Sequence, residues 1–168
     1  MRRILLTCTL AFTLLPVFGG EGKAPPMDKE KSLLIDYVDP FIGTTNFGTT
    51  NPGAVCPNGM MSVVPFNVMG SADNTYDKDA RWWSTPYEHT NCFFTGYSHV
   101  NLSGVGCPEL GSLLLMPTTG ELNVDYKEYG SRYKDEKVSP GYYSNFLTRY
   151  NVKTEVYATP RTGVLRFR

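Results

Sequence analysis

Two polar, glycine-rich loops set between short apolar runs constrain this chain more than any other feature. The first reads V-D-P-F-I-G-T-T-N-F-G-T-T-N-P-G-A over 38–54, and the second G-Y-S-H-V-N-L-S-G-V-G-C-P-E-L-G-S over 96–112. Gly43, Gly48 and Gly53 in one, and Gly104, Gly106 and Gly111 in the other, permit positive φ or close backbone approach, so each loop reads as a tight, shaped wall. Elsewhere apolar residues come in short runs or alternate with period two, punctuated by 16 glycines and 12 prolines, and no stretch carries a helical stripe. The pattern predicts an all-β chain with strands over 33–38, 60–66, 92–97, 112–116, 142–150, 152–158 and 163–168. Several short strands at this spacing favour a β-sandwich.

The three consecutive leucines within 112–116 predict a strand covered on both faces. The runs 142–150 and 152–158 meet at Tyr150-Asn151, where Asn can take a turn conformation, which predicts a hairpin. The connections 39–59 and 68–90 are long for a compact domain, so both read as site-forming or interface loops. At 163–168 the sequence still alternates apolar and polar where it stops, so the chain reads as the front of a larger protein.

With 168 residues, of which 41% are hydrophobic, the chain can build one domain with a real core, placed at 33–168. Before it, Arg2 and Arg3, the apolar run 4–18 and a small-residue exit near Gly19 form a secretory signal over 1–20, followed by a polar linker over 21–32. The apolar run is short for a membrane span. A lipoprotein anchor at Cys8 is the competing reading of the same stretch. The 16 basic and 16 acidic residues balance, and removal of Arg2 and Arg3 leaves 14 against 16, or −2, so nucleic acid is not an expected partner. Of the four cysteines, Cys56, Cys92 and Cys107 follow the signal. An odd count in an oxidising compartment leaves at least one thiol without an internal partner, and a Cys92–Cys107 bridge is one option.

Secreted aromatic-rich β-domains often belong to glycosidases, most of which need two carboxyl groups flanking the scissile bond. Asp39, Asp73, Asp77, Asp79, Glu88 and Glu109 are available, yet none has a context that singles it out, and solvated loop carboxylates account for them. His89, Cys92, His99 and Cys107 miss the usual zinc spacings. His99, at a strand end, can either donate to a sugar hydroxyl or fix neighbouring backbone. Trp82 and Trp83 can offer an apolar plate to a pyranose or anchor the loop, with Tyr87, Glu88 and His89 completing such a subsite. Asp77 and Asp79 can bind Ca²⁺ or simply be solvated. No phosphate loop and no G-x-S-x-G elbow is present.

Y-V-D-P-F-I-G-T over 37–44, P-G-A-V-C-P-N-G-M over 52–60, the second glycine-rich loop, L-L-M-P-T-T-G over 114–120 and P-G-Y-Y over 140–143 occur in order. Together they resemble the amino-terminal domain of glycoside hydrolase family 92. That resemblance implies a galactose-mutarotase-like β-sandwich, here incomplete, from a secreted, inverting, Ca²⁺-dependent exo-α-mannosidase acting on N-glycan or mannan glycans. It also implies an (α/α)6-barrel partner domain, absent from this chain, that carries the acid, the base and the calcium ligands. What remains here is the mannose-pocket wall: Phe41, Gly43 and Thr44, Trp82 and Trp83, and His99, Asn101, Ser103 and Glu109. Asn101 stands where the family pattern has histidine, and Glu109 and Ser112 where it has aspartate. A free-standing carbohydrate-binding or assembly module is the alternative reading.

Overall fold

The computed structural model describes residues 33–45, 48–67, 86–101, 111–125 and 127–168, all within one compact unit spanning 32–168. The expected signal and linker, Trp82, Trp83, Ser103, Cys107 and Glu109 lie outside the described residues, as do Asp73, Asp77 and Asp79. The described residues form two four-stranded antiparallel sheets in simple sequential order. One sheet comprises β1 (Ala54–Val55), β2 (Ser62–Phe66), β3 (Gly96–His99) and β4 (Leu114–Leu115). The other comprises β5 (Tyr133–Ser139), β6 (Tyr142–Leu147), β7 (Val152–Ala158) and β8 (Gly163–Phe167). Strands β1 and β2 face β6 and β7, and a buried cluster of Ala54, Val63, Phe94, Tyr97, Tyr143, Leu147 and Val156 joins the layers. This is the sandwich that the alternating pattern predicts.

In β7 the sequence V-K-T-E-V-Y-A turns Val152, Thr154 and Val156 inward and leaves Lys153 and Tyr157 outside. Glu155 on the outer face sits among Lys153 at 3.4 Å, Arg168 at 3.8 Å and Arg166 at 3.9 Å, tying β7 to β8. The hairpin between β6 and β7 turns through 148–151, with Asn151 at φ 54°, a conformation Asn tolerates better than most residues. Pro140 and Gly141 link β5 to β6 in the same economical way, with Gly141 at φ 77°. In β2, Pro65 is tolerated because β1 pairs only with Ser62 and Val63, so its missing N–H falls beyond the end of that ladder.

Four expectations need correction. Residues 33–38 are not a strand: Leu34–Tyr37 is a 3₁₀ turn, closed by Asp36 N–H to Leu33 O at 2.9 Å, with the Asp36 carboxylate accepting from Leu33 N–H at 3.0 Å. Its apolar residues all face solvent, so their alternation carried no burial signal. The leucine run is not covered on both faces, since Leu113, Leu114 and Leu115 remain exposed by 50%, 40% and 38%. The expected strand 92–97 is shifted onward to Gly96–His99, while Phe94 makes an isolated bridge to Ser131. Finally, β5 was not expected at all, because Y-K-D-E-K-V-S reads as a charged loop.

Strand β5 holds a bulge that shapes everything near it. Lys134 pairs with Phe146 and Lys137 with Ser144, so Asp135 and Glu136 together oppose Asn145. Asp135 absorbs the extra residue at φ 54°. Bulges re-aim side chains, and this one directs the Glu136 carboxylate to the hydroxyls of Tyr87 and Tyr143.

Candidate functional site: a stapled loop and its tyrosine–glutamate support

The first glycine-rich loop folds on itself. Phe41 N–H donates to Asp39 Oδ1 at 2.9 Å, an Asx turn, and Thr44 returns both its N–H (3.1 Å) and its hydroxyl (2.8 Å) to Phe41 O. Thr50 closes the loop from the other side, with its hydroxyl to Ile42 O at 2.6 Å and its N–H to Gly43 O at 3.3 Å. The closure depends on glycine: a Cβ on Gly48 would lie 1.8 Å from Gly43 O, and Gly43 itself sits at φ 80°. Thr44 is 1% exposed, so its hydroxyl serves the loop and only its backbone neighbours face outward.

The turn 86–91 braces this loop. His89 N–H donates to Thr44 O at 3.0 Å, and the His89 ring meets Phe41 edge to face with centroids 4.9 Å apart. That turn is held in its place by buried Asn67 at the end of β2. Asn67 Oδ1 accepts from Glu88 N–H at 2.8 Å, and Nδ2 lies within reach of Glu88 O (2.9 Å), Asn91 O (3.0 Å) and Tyr133 Oη (2.9 Å). An amide side chain thereby does for two separate segments what a strand ladder would do.

Behind His89 lies a buried polar cluster. Tyr87 Oη is 3.0 Å from His89 Nδ1 and donates to the Glu136 carboxylate at 2.9 and 3.1 Å. Tyr143 donates to Glu136 Oε1 at 2.5 Å and accepts from Asn145 Nδ2 at 3.3 Å. Deeper still, Asn145 Oδ1 accepts from Thr154 at 2.6 Å and Tyr97 at 3.1 Å, and Tyr97 also bonds Thr154. Burial raises the Glu136 carboxyl above the usual range, opposed by the hydrogen bonds from Tyr143 and Tyr87 and by His89. Burial and the nearby Glu136 push Tyr87 and Tyr143 well upward, so both phenols keep their hydrogens. A cleft of about 340 Å³ opens at the bulge, lined by Asp135, Glu136, Lys137, Ser144, Asn145, Phe146 and Lys153, and brings solvent to the far side of this cluster.

The candidate residues fall into two groups. Phe41, Gly43 and Thr44 join His89 beyond the Phe66 end of β2. His99 and Asn101 belong to the Ser62 end, about 13 Å away along a strand rising roughly 3.3 Å per residue. His99 is 7% exposed and its Nδ1 lies 3.2 Å from Leu113 O, the backbone-fixing option of its two readings. Asn101 N–H donates to Ser62 Oγ at 3.2 Å, while its buried Oδ1 makes no hydrogen bond. Glu136 and Tyr143 had no signal in the sequence beyond their residue types. Among the described residues no three His, Cys, Asp or Glu side chains converge as if to hold a metal ion. Cys56 and Cys92 do not pair with each other. No helix among the described residues is long and apolar enough to cross a membrane.

Residues 37–168 match the family model described as the glycosyl hydrolase family 92 N-terminal domain. Among solved structures, the fold is similar to the family GH92 alpha-mannosidase BT3965 from Bacteroides thetaiotaomicron in complex with mannoimidazole. That match has 34% identity and a TM-score of 0.66, covering 79% of this chain and 18% of that one. The GH92 family glycosyl hydrolase ccman5 is similar at 28% identity and a TM-score of 0.62, with 79% and 18% covered. The inverting mannosidase BT2199 of Bacteroides thetaiotaomicron, at 22% identity and a TM-score of 0.56, shares the fold. This chain therefore spans 18% of the length of the enzymes it resembles. No curated protein matches it.

Proposed function

Since the chain belongs to glycosyl hydrolase family 92, as an N-terminal domain of that family, we propose that it supplies the sugar-contacting sandwich of a secreted exo-α-mannosidase and does not cleave alone. The observation that carries this reading is the stapled loop, which holds Phe41 against His89 at 4.9 Å on a braced turn. An aromatic ring fixed at a loop tip can cover the C–H face of a pyranose, and the adjoining polar groups can address its hydroxyls. In this reading Trp82, Trp83, Ser103 and Glu109 are further glycan contacts, whereas Asn101, at the Ser62 end of β2, meets only a glycan longer than one sugar and His99 holds Leu113 O.

Hydrolysis needs two suitably spaced carboxyl groups. Glu136 is buried and engaged by two tyrosines, and Asp39 already accepts from Phe41 N–H, so the two do not form a free pair flanking a substrate. In this reading the acid, the base, the Ca²⁺ ligands and the inverting chemistry come from an (α/α)6-barrel domain that is not part of this chain. The exposed leucines of β4 and the solvent-facing residues of the 33–38 turn give such a domain apolar surface to cover. Residues 1–20 direct the protein to the periplasm or cell surface, and the glycans acted on are N-glycan or mannan α-mannosides.

The test is to titrate the purified chain with methyl α-mannoside and with mannan in the presence of Ca²⁺. Saturable binding that is lost in Phe41→Ala, with no mannose released, is expected. Mannose release by this chain alone would end the proposal. Binding to mannan with full affinity and no gain from any added partner domain would instead favour a free-standing carbohydrate-binding module.

A further inference from the structure

The hydrogen bonds around Glu136 can be counted hydrogen by hydrogen, and the count reaches the surface. Asn145 Nδ2 can only donate, and it gives to Tyr143 Oη at 3.3 Å. Tyr143 has one hydroxyl hydrogen, directed at Glu136 Oε1 at 2.5 Å. Tyr87 also has one, directed between the two carboxylate oxygens at 2.9 and 3.1 Å. An ionised carboxylate only accepts and, being charged, takes both phenol hydrogens in preference to the neutral Tyr133 hydroxyl that also neighbours Tyr87. The 3.0 Å contact between Tyr87 Oη and His89 Nδ1 must then take its hydrogen from the imidazole. In the neutral ring Nδ1 therefore carries the proton, and Nε2, on the opposite side of an exposed ring, carries the lone pair.

We propose that the Glu136–Tyr87 pair fixes His89 as the Nδ1–H tautomer, making its Nε2 a preset acceptor for a hydroxyl of an α-mannoside seated on Phe41. Glu136 and Tyr87 are positioning residues here, and His89 is the contact that discriminates a ligand hydroxyl from an ether or a deoxy position. The sugar part rests on the function proposed above; the tautomer rests on geometry alone. His89 suits the role because three restraints converge on it: the ring contact with Phe41, the backbone bond to Thr44 and the relay at Nδ1. A ring so held loses little freedom when a ligand arrives, which is how preorganised sites gain selectivity.

The sequence holds two histidines, so ¹⁵N-histidine labelling of the 168-residue chain gives two ring patterns, and His89→Gln identifies which belongs to His89. At mildly alkaline pH, two-bond ¹⁵N–¹H correlations are expected to show His89 protonated at Nδ1 and bare at Nε2. An Nε2–H pattern overturns the relay. Tyr87→Phe and Glu136→Gln, each checked for an otherwise native spectrum, are expected to release the ring into a tautomer mixture. An unchanged ring in a folded variant also overturns it. Methyl α-mannoside is then expected to shift the His89 Nε2 resonance, and His89→Gln to weaken binding about three- to tenfold, as for one lost neutral hydrogen bond. Saturable shifts at Phe41 with His89 Nε2 unmoved refute the acceptor role and leave the mannoside site standing. Absence of saturable shifts anywhere refutes the mannoside site, and the sugar part of this proposal with it, whatever the tautomer.

Discussion

The two sheets solve different problems. Strands β5–β8 run five to seven residues each, joined by short turns, and β7 alternates inward and outward as a half-buried strand should. Strands β1–β4 run two to five residues and are separated by long connections, so that sheet holds loops more than it holds itself. One sheet is a scaffold built from its own pairing; the other is a frame whose coherence comes from side chains such as Asn67. The contrast teaches where tolerance lies, since a frame of this kind can keep its shape only while its few cross-links survive.

Leucine gives the sharpest test of the contrast. Leu147 on β6 is fully buried in the inter-sheet cluster, so Leu147→Ala is expected to cost about 2–5 kcal/mol in urea unfolding. Next in size is Asn67→Ala, expected to cost about 2–3 kcal/mol, because several backbone groups of 88–91 lose their partner at once. Amide exchange in 86–91 should rise in that variant while β6 and β7 stay protected. Equal loss of protection in both sheets would mean that they unfold as one and that the frame has no separate weakness.

Glu136 sharpens the comparison through pH. Burial raises its folded-state pKa, so the folded chain holds this proton where the unfolded chain has released it. Protons bound in the native state then exceed those in the unfolded state, and stability must fall as pH rises through that window. The contribution is complete below the ordinary carboxyl range and is lost above the raised value. Glu136→Gln is expected to flatten that decline in urea midpoints measured across the acid-to-neutral range. A slope identical to the unsubstituted chain would show that Glu136 is ionised without penalty.

Two smaller effects complete the set. Asn151→Ala places an ordinary residue at φ 54° and is expected to cost about 1 kcal/mol, read from the thermal midpoint. Leu114→Ala, at a side chain 40% exposed, is expected to stay within about 0.5 kcal/mol while improving solubility. A Leu114→Ala cost close to that of Leu147→Ala would break the comparison outright.

Three of the four scaffold strands were legible in the sequence. Alternation over 152–158 and Asn151 at the hairpin each carry a local physical reason that tertiary structure did not override, whereas β5 carried no such signal. The frame was legible in kind but not in detail. Apolar residues at 33–38 and 113–115 look like strand core because sequence alone cannot reveal which face is left uncovered. Glu136 was hidden for the opposite reason: a carboxylate inside K-D-E-K reads as solvated until a one-residue bulge rotates it inward. His89 was visible as a possible subsite member, but its proton could be placed only once Tyr87 and Glu136 were seen on either side of it.

The stitch made by Asn67 has one more consequence. Its N–H reaches Pro86 O at 3.0 Å and its amide grips Glu88 and Asn91, so two anchors far apart in sequence, Asn67 and 86–91, are fastened to each other. Lengthening a segment closed in this way changes only its closing entropy, about 0.6 kcal/mol for a doubling. The closure is therefore carried by Asn67 and its partners in 86–91, and changes of length between these anchors are expected to leave the stability of the sandwich almost unchanged.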